Sequence, residues 1–230
     1  MRKPTRRAFL QASLATAATC ISVRTNANGE PETSRNMTSE ELAPDIHILM
    51  GAVNTGVLVN GRKALLFDCC DSVTSERLKT LGVDSVDMIC CTQFRRPNTS
   101  GAHKFVTSGA QIVAPAEERA LFDDVDSYWS NWRNRWHVYH SQPGPLVPAR
   151  PLRVSRTVSD GDFVDWEGFS IRVLATPGAT DGSVSFLLKA GNKTVCFSGD
   201  VLYGPGCIWE LYSLQRAFGV VGDYHGFLGN

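Results

Sequence analysis

The chain has 230 residues, of which 43% are hydrophobic, enough for one domain with a substantial apolar core. Its 23 basic and 23 acidic residues cancel, but residues 1–29 hold five basic residues and no acidic ones. The rest of the chain is therefore acidic, which excludes the basic stripe expected of a nucleic-acid-binding surface.

Residues 1–29 read as an export signal rather than as part of a fold. Residues 5–11, Thr-Arg-Arg-Ala-Phe-Leu-Gln, resemble the twin-arginine signal, and the mildly apolar run after them is too short to cross a bilayer. The resemblance implies export of the folded protein to the periplasm. Cys20 is an alternative site for attachment of a lipid anchor, although Thr19 immediately before it fits such a site poorly. We expect the mature chain to have no membrane span.

The first half of the remaining chain predicts strands followed by alternating strands and helices. Polar residues 30–43 are predicted as a linker, and the domain is assigned to residues 44–230. Asn60-Gly61 is typical of a two-residue hairpin turn. The predicted strands are 46–49, 55–59, 63–67, 86–91 and 111–114. The predicted helices are 72–81, capped by Ser72 or Thr74 and stopped by Gly82, then 100–107, and a third opening at Pro115. Such alternation is typical of parallel pairing in a layered α/β sheet.

Residues 128–140 concentrate aromatic and basic side chains. Trp129, Trp132 and Trp136 have helical spacing, which predicts a helix that packs an aromatic face against the core. Alternatively, these rings form a flap with His137 and His140 over a pocket for a small-molecule ligand. The chain after residue 151 is predicted to be rich in β-strands, with a hairpin over 183–197 and a final helix over 208–218.

Seven cysteines are present, but no Cys-x-x-Cys motif, so a structural zinc site is not expected. Cys69-Cys70 and Cys90-Cys91 are adjacent pairs on strands, whose members face opposite sides. They are interpreted as small buried residues, or as members of a disulfide between neighbouring strands in an oxidising compartment.

Three landmarks follow one another in the sequence. Asp68 ends a strand, Thr92 opens the run Thr-Gln-Phe-Arg-Arg-Pro-Asn, and residues 176–183 read Thr-Pro-Gly-Ala-Thr-Asp-Gly-Ser before Phe-Ser-Gly-Asp at 197–200. Together they resemble the metallo-β-lactamase superfamily over residues 44–215. The resemblance implies an α/β fold, an αββα sandwich, with zinc bound by loops at one edge of the two sheets. There the metal would supply a hydroxide nucleophile.

Most positions that the resemblance assigns to metal ligands hold other residue types, namely Gln93, Arg95, Pro97, Asn98 and Ala179. Asp200 matches the bridging aspartate, and Asp68 lies behind it. Amide oxygens are poor zinc ligands, and the guanidinium of Arg95 stays protonated and repels a cation. An arginine beside Asp200 would take the volume and charge of the ion.

We therefore expect a protein derived from a zinc-dependent hydrolase that binds no cofactor and has lost hydrolase activity. The family pattern continues beyond Asn230, so the C-terminal half of the sandwich is expected to be incomplete. One alternative is an active hydrolase in which zinc or another metal is held by Asp200, Asp68 and one of His103, His137 and His140. A second is an exported binding module that uses residues 128–140. Neither the substrate nor a protein partner can be read from the pattern.

Overall fold

The computed structural model describes residues 39–51, 53–131, 147–204 and 207–208. Its first sheet has seven strands in chain order: β1 (Ser39–Ala43), β2 (Ile46–Leu49), β3 (Thr55–Asn60), β4 (Lys63–Phe67), β5 (Ser85–Cys90), β6 (Gln111–Pro115) and β7 (Arg156–Val158). Strands β1 to β4 pair antiparallel, and β4 to β7 pair parallel. The predicted parallel pairing is confirmed for the second half of this sheet.

The second sheet has four antiparallel strands in the order β11-β10-β9-β8. They are β8 (Phe163–Trp166), β9 (Phe169–Ala175), β10 (Val184–Ala190) and β11 (Lys193–Phe197). A short pair, β12 (Leu202–Gly204) and β13 (Cys207–Ile208), follows. The hairpin predicted over residues 183–197 is thus the β10–β11 pair.

Short helices connect the strands of the first sheet. They are α1 (Ser75–Lys79), α2 (Arg96–Thr99), α3 (Ala102–Val106), α4 (Arg119–Asp123) and α5 (Val125–Ser130), with 3-10 turns at Ala116–Glu118 and Gly199–Val201. The first helix is shorter than predicted: Thr74 is its N-cap and accepts a hydrogen bond from the Arg77 amide. The Ser72 hydroxyl lies outside the helix, close to the guanidinium of Arg77.

Successive residues of a strand point to opposite faces of the sheet, and both faces of the first sheet are covered. Leu66 and Ile89 pack with the helices, whereas Leu65 and Phe67 pack against the second sheet. The described residues therefore form three layers, one of helices and two of sheet.

An aromatic cluster holds the two sheets together. The ring of Phe67 stacks on Phe197 with 4.0 Å between centroids and lies 5.6 Å from Phe186. A Cβ atom at Gly56 would lie 2.2 Å from the Phe197 ring, so glycine is needed for this close approach.

Two sequence predictions need correction. Residues 39–43, assigned to the linker 30–43, form the edge strand β1, whose acidic side chains are exposed and hide the strand pattern. Residues 96–99, for which no helix was predicted, form α2 with a proline in its first turn. Residues 1–29, predicted to be an export signal, and residues 209–218 of the predicted final helix lie outside the described residues, and Ile208 ends β13.

Cys69, Cys70, Cys90 and Cys91 are buried thiols, as the interpretation of small core residues predicted. Among the helices that the structure describes, none is long and apolar enough to cross a bilayer.

Replacement of Phe186 by alanine should lower the free energy of unfolding by about 3–5 kcal/mol, because it leaves a cavity between the sheets. Phe163→Ala is the matched control: Phe163 is 50% exposed, whereas Phe186 is fully buried. The control should change stability by no more than about 0.5 kcal/mol in guanidinium denaturation. Equal losses in the two variants would contradict this packing.

Candidate functional site

Three polar residues lie at one edge of the first sheet. Asp68 follows β4, Thr92 follows β5, and Glu118 ends the 3-10 turn after β6. The carboxyl ends of parallel strands share an edge, and ligand sites in α/β proteins form there. Two segments meet at this edge: residues 92–98, which include the start of α2, and residues 176–183. We call them the first and second site loops.

Asp68 binds both ends of the first site loop through hydrogen bonds. Its carboxylate is 3% exposed and accepts hydrogen bonds from the amide and the hydroxyl of Thr92, each at 2.8 Å. The side-chain amide of Asn98 donates to the same carboxylate at 3.2 Å. Asp68 has a φ of 58°, a left-handed conformation that aspartate tolerates better than most residues.

Asp200 reaches the same loop from the end of β11. The amide of Val184 donates to the carbonyl of Thr92 at 2.9 Å. Gly199 has a φ of 55°, and a Cβ atom there would lie 2.3 Å from the Thr92 hydroxyl oxygen, so this position requires glycine. The close approach brings Asp200 to Gln93, whose Nε2 donates to its carboxylate at 2.5 Å.

Arg95 does not take the place expected for it beside Asp200. Its Nη2 donates to the main-chain carbonyl of Ala179 at 2.7 Å, and the partner of Asp200 is Gln93. Arg95 therefore ties the first site loop to the second, through a carbonyl rather than a carboxylate.

Glu118 also joins the two site loops, a role that was not predicted from the sequence. Its Oε2 accepts from the Phe94 amide at 2.7 Å, and its Oε1 accepts from the Gly182 amide at 3.2 Å and from the Thr180 hydroxyl. Its place after a parallel strand was a usable signal, but as the second of two glutamates it resembled an ordinary acidic residue of a helix start.

The other predicted site residues lie as follows. Pro97 is exposed in α2, and Ala179 is buried. His103 lies on α3 beside Arg150, and burial lowers the pKa of its imidazole. Trp129 is partly buried and packs against the helix-side core. Trp132, Trp136, His137 and His140 lie outside the described residues.

These side chains do not fit a zinc ion. Zinc in proteins takes imidazole, thiolate and carboxylate ligands, usually four. The corresponding positions hold two carboxamides, a guanidinium, a proline ring and a methyl group, and the carboxylate of Asp200 already accepts from Gln93. In residues 39–51, 53–131 and 147–204, no group of three or more His, Cys, Asp and Glu side chains could hold a metal.

The substituted side chains also carry unpaired polar atoms. Gln93 Oε1, Arg95 Nε and Asn98 Oδ1 are buried, and within the part of the chain that is described they have no hydrogen-bond partner. Each buried polar atom without a partner lowers the free energy of unfolding by about 1–3 kcal/mol. The replacements therefore satisfy the carboxylates of the site but not all of their own hydrogen-bonding groups.

Burial raises the pKa of Asp68 to about 7, although hydrogen bonds from Thr92 oppose the shift. It also raises the pKa of Glu118 to about 7, against the hydrogen bond from Thr180. Between pH 4 and 7 the folded chain thus retains protons that the unfolded chain releases. We expect the contribution of these two carboxyl groups to the free energy of unfolding to fall as pH rises through this window, by about 1.4 kcal/mol for each unit of pKa shift.

Urea denaturation of Asp68→Asn across this pH range tests the expectation. The variant should lose part of the pH dependence, because asparagine does not titrate and tolerates the left-handed backbone. Glu117→Gln, at the exposed neighbour of Glu118, should keep the parent's slope. Asp68→Asn with the same pH dependence as the parent would contradict the assignment of this titration to Asp68.

Comparisons with known proteins bear on the family and the fold. The family model of the metallo-beta-lactamase superfamily, which describes the family's sequences, matches residues 107–226. The hydroxyacylglutathione hydrolase of Brucella ovis is 32% identical over 182 residues, which cover 74% of this chain and 59% of that relative.

Two solved structures share the fold. BJP-1, a subclass B3 metallo-beta-lactamase of Bradyrhizobium japonicum, has a TM-score of 0.55 and 19% identity over 70% of this chain and 61% of its own. A Cronobacter sakazakii metallo-beta-lactamase with a HARLDQ motif has a TM-score of 0.52 and 16% identity, covering 69% and 63%. The chain spans less than two thirds of the length of each of these proteins.

The family model covers more than half of the chain, and the sheets and helices have the arrangement of the solved relatives. The predicted α/β fold of the metallo-β-lactamase type is thereby confirmed, and the chain belongs to the metallo-beta-lactamase superfamily.

Proposed function

We propose that this chain is a metallo-β-lactamase-fold protein that does not carry out zinc-dependent hydrolysis, and that side-chain hydrogen bonds hold its site in place of a metal. The observation that carries the proposal is the contact between Gln93 and Asp200. Asp200 is the one residue whose carboxylate matches a family ligand. Its carboxylate accepts a hydrogen bond from the Gln93 amide, which occupies a lone pair that a metal ion would need.

The contacts of the neighbouring positions support the same function. Asn98 donates to Asp68, and Arg95 donates to the carbonyl of Ala179. Each of the three polar side chains that replace a ligand thus supplies a donor to an oxygen of the site. An imidazole or carboxylate ligand presents a lone pair to a cation, whereas donors compete with the cation for those oxygens.

The two alternatives have weaker support. A hydrolase that uses Asp200, Asp68 and His103 would need the imidazole near the carboxylates, but its charged neighbour is Arg150. A binding module built on residues 128–140 would need exposed rings, yet Trp129 packs against the core and meets Tyr128 edge-on at 5.1 Å.

Export to the periplasm by the twin-arginine route is part of the proposal, supported by residues 5–11. The assay substrates follow from the relatives' names: a hydroxyacylglutathione thioester for the Brucella ovis protein and a β-lactam for the structural neighbours.

Restoring the family's ligands tests the loss of zinc chemistry. The variant combines Gln93→His, Arg95→His, Pro97→Asp, Asn98→His and Ala179→His. If the site loops keep the family geometry, zinc affinity should rise by orders of magnitude over the parent, measured by calorimetry and elemental analysis. The same five substitutions with Asp200→Ala form the matched control and should lose most of the gain, because a ligand is removed.

Parent protein that is purified with stoichiometric zinc and hydrolyses either substrate would refute the proposal. A restored variant that binds no more zinc than the parent would show that the loops do not have the family geometry.

Export is tested by fractionating cells that express the full chain. Arg6→Lys with Arg7→Lys should leave the protein in the cytoplasm, because lysine does not reproduce a paired guanidinium signal. Arg24→Lys, a basic residue outside the pattern, should be exported like the parent. A periplasmic double variant would contradict the assignment.

A further inference from the structure

Glu118 is a buried glutamate that none of the family's ligand positions uses. It is 3% exposed and lies where the 3-10 turn after β6 meets the site loops. A buried carboxylate without partners costs several kcal/mol, so its contacts determine whether it can be retained.

Its two oxygens divide their hydrogen bonds between the loops. Oε2 takes the Phe94 amide of the first site loop, and Oε1 takes the Thr180 hydroxyl and the Gly182 amide of the second. Phe94 lies between two substituted ligand positions, and Thr180 follows a third. The carboxylate of Glu118 therefore binds residues that are adjacent in sequence to three ligand positions.

Gly182 makes this approach sterically feasible. A Cβ atom at residue 182 would lie 2.6 Å from Cγ of Glu118 and 3.1 Å from Cβ of Glu117. The second site loop keeps Thr180 and Gly182, which contact Glu118, although its histidine position is Ala179. Thr180 and Gly182 are therefore the residues of this loop that serve the carboxylate.

We propose that Glu118 is a positioning residue that holds the two site loops in register without a metal ion. In a metal centre of this type the ion itself joins the loops that supply its ligands. Here a carboxylate outside the metal position joins them through one hydroxyl and two main-chain amides. Arg95 of the first site loop adds a favourable electrostatic interaction with Glu118.

This inference deepens the proposed function, because it names what keeps the site formed when the ligands are lost. It does not depend on the absence of zinc chemistry, since the hydrogen bonds of Glu118 involve none of the metal-ligand side chains. A test in the unaltered site can therefore be separated from the test by restored ligands.

Hydrogen exchange of the parent, Glu118→Ala and Glu118→Gln tests the proposal directly. Exchange of the Phe94 and Gly182 amides should become about tenfold faster or more in Glu118→Ala, because each loses a charged acceptor. Glu118→Gln keeps the side-chain volume and one acceptor oxygen, so it should fold and show a smaller change. Glu117→Gln is the matched control at an exposed glutamate and should exchange like the parent.

Zinc affinity of the restored variant supplies a second measurement. Adding Glu118→Ala or Gly182→Ala to the five substitutions should weaken zinc binding by about 10–100-fold, as loss of groups that orient ligands does elsewhere. Unchanged exchange at Phe94 and Gly182 would overturn the proposal, as would faster exchange spread evenly over both sheets. A restored variant that binds no zinc would count against the proposed function, and the exchange result would still decide the role of Glu118.

Discussion

The site depends on one physical constraint: two carboxylates are buried at the carboxyl ends of parallel strands, and each must be given hydrogen-bond donors. Water cannot supply them at this depth, so the donors come from the chain itself. Asp68 takes them from Thr92 and Asn98, and Glu118 takes them from both site loops. Satisfying these oxygens fixes the course of the loops.

The same constraint explains how the site edge of a metal-binding fold can persist when its ligands change. The hydrogen bonds of Glu118 run through two main-chain amides, which a substitution of the side chains does not remove. Gln93 and Asn98 keep donors directed at the carboxylates of Asp200 and Asp68. Their unpaired amide oxygens are the remaining cost of this arrangement.

Much of the fold was readable from local patterns. The hairpin at Asn60-Gly61 and the alternation of strands and helices to Pro115 predicted the first sheet, because turn chemistry and side-chain periodicity act over a few residues. Strand β1 was missed because it is an edge strand whose exposed glutamates show no apolar alternation. Its pairing with β2 decides its conformation, and pairing is a tertiary property.

The sequence by itself determined which residue types stand at the positions that the family resemblance assigns to metal ligands, and these residue types support the proposal that the zinc site is lost. Only the tertiary structure decided which substituted side chain contacts which carboxylate. Gln93, rather than Arg95, meets Asp200 across 107 positions of the chain, and Glu118 contacts loop residues 24 positions before it and 62 positions after it. Such contacts depend on distances of a few ångströms between loops, which local periodicity does not encode.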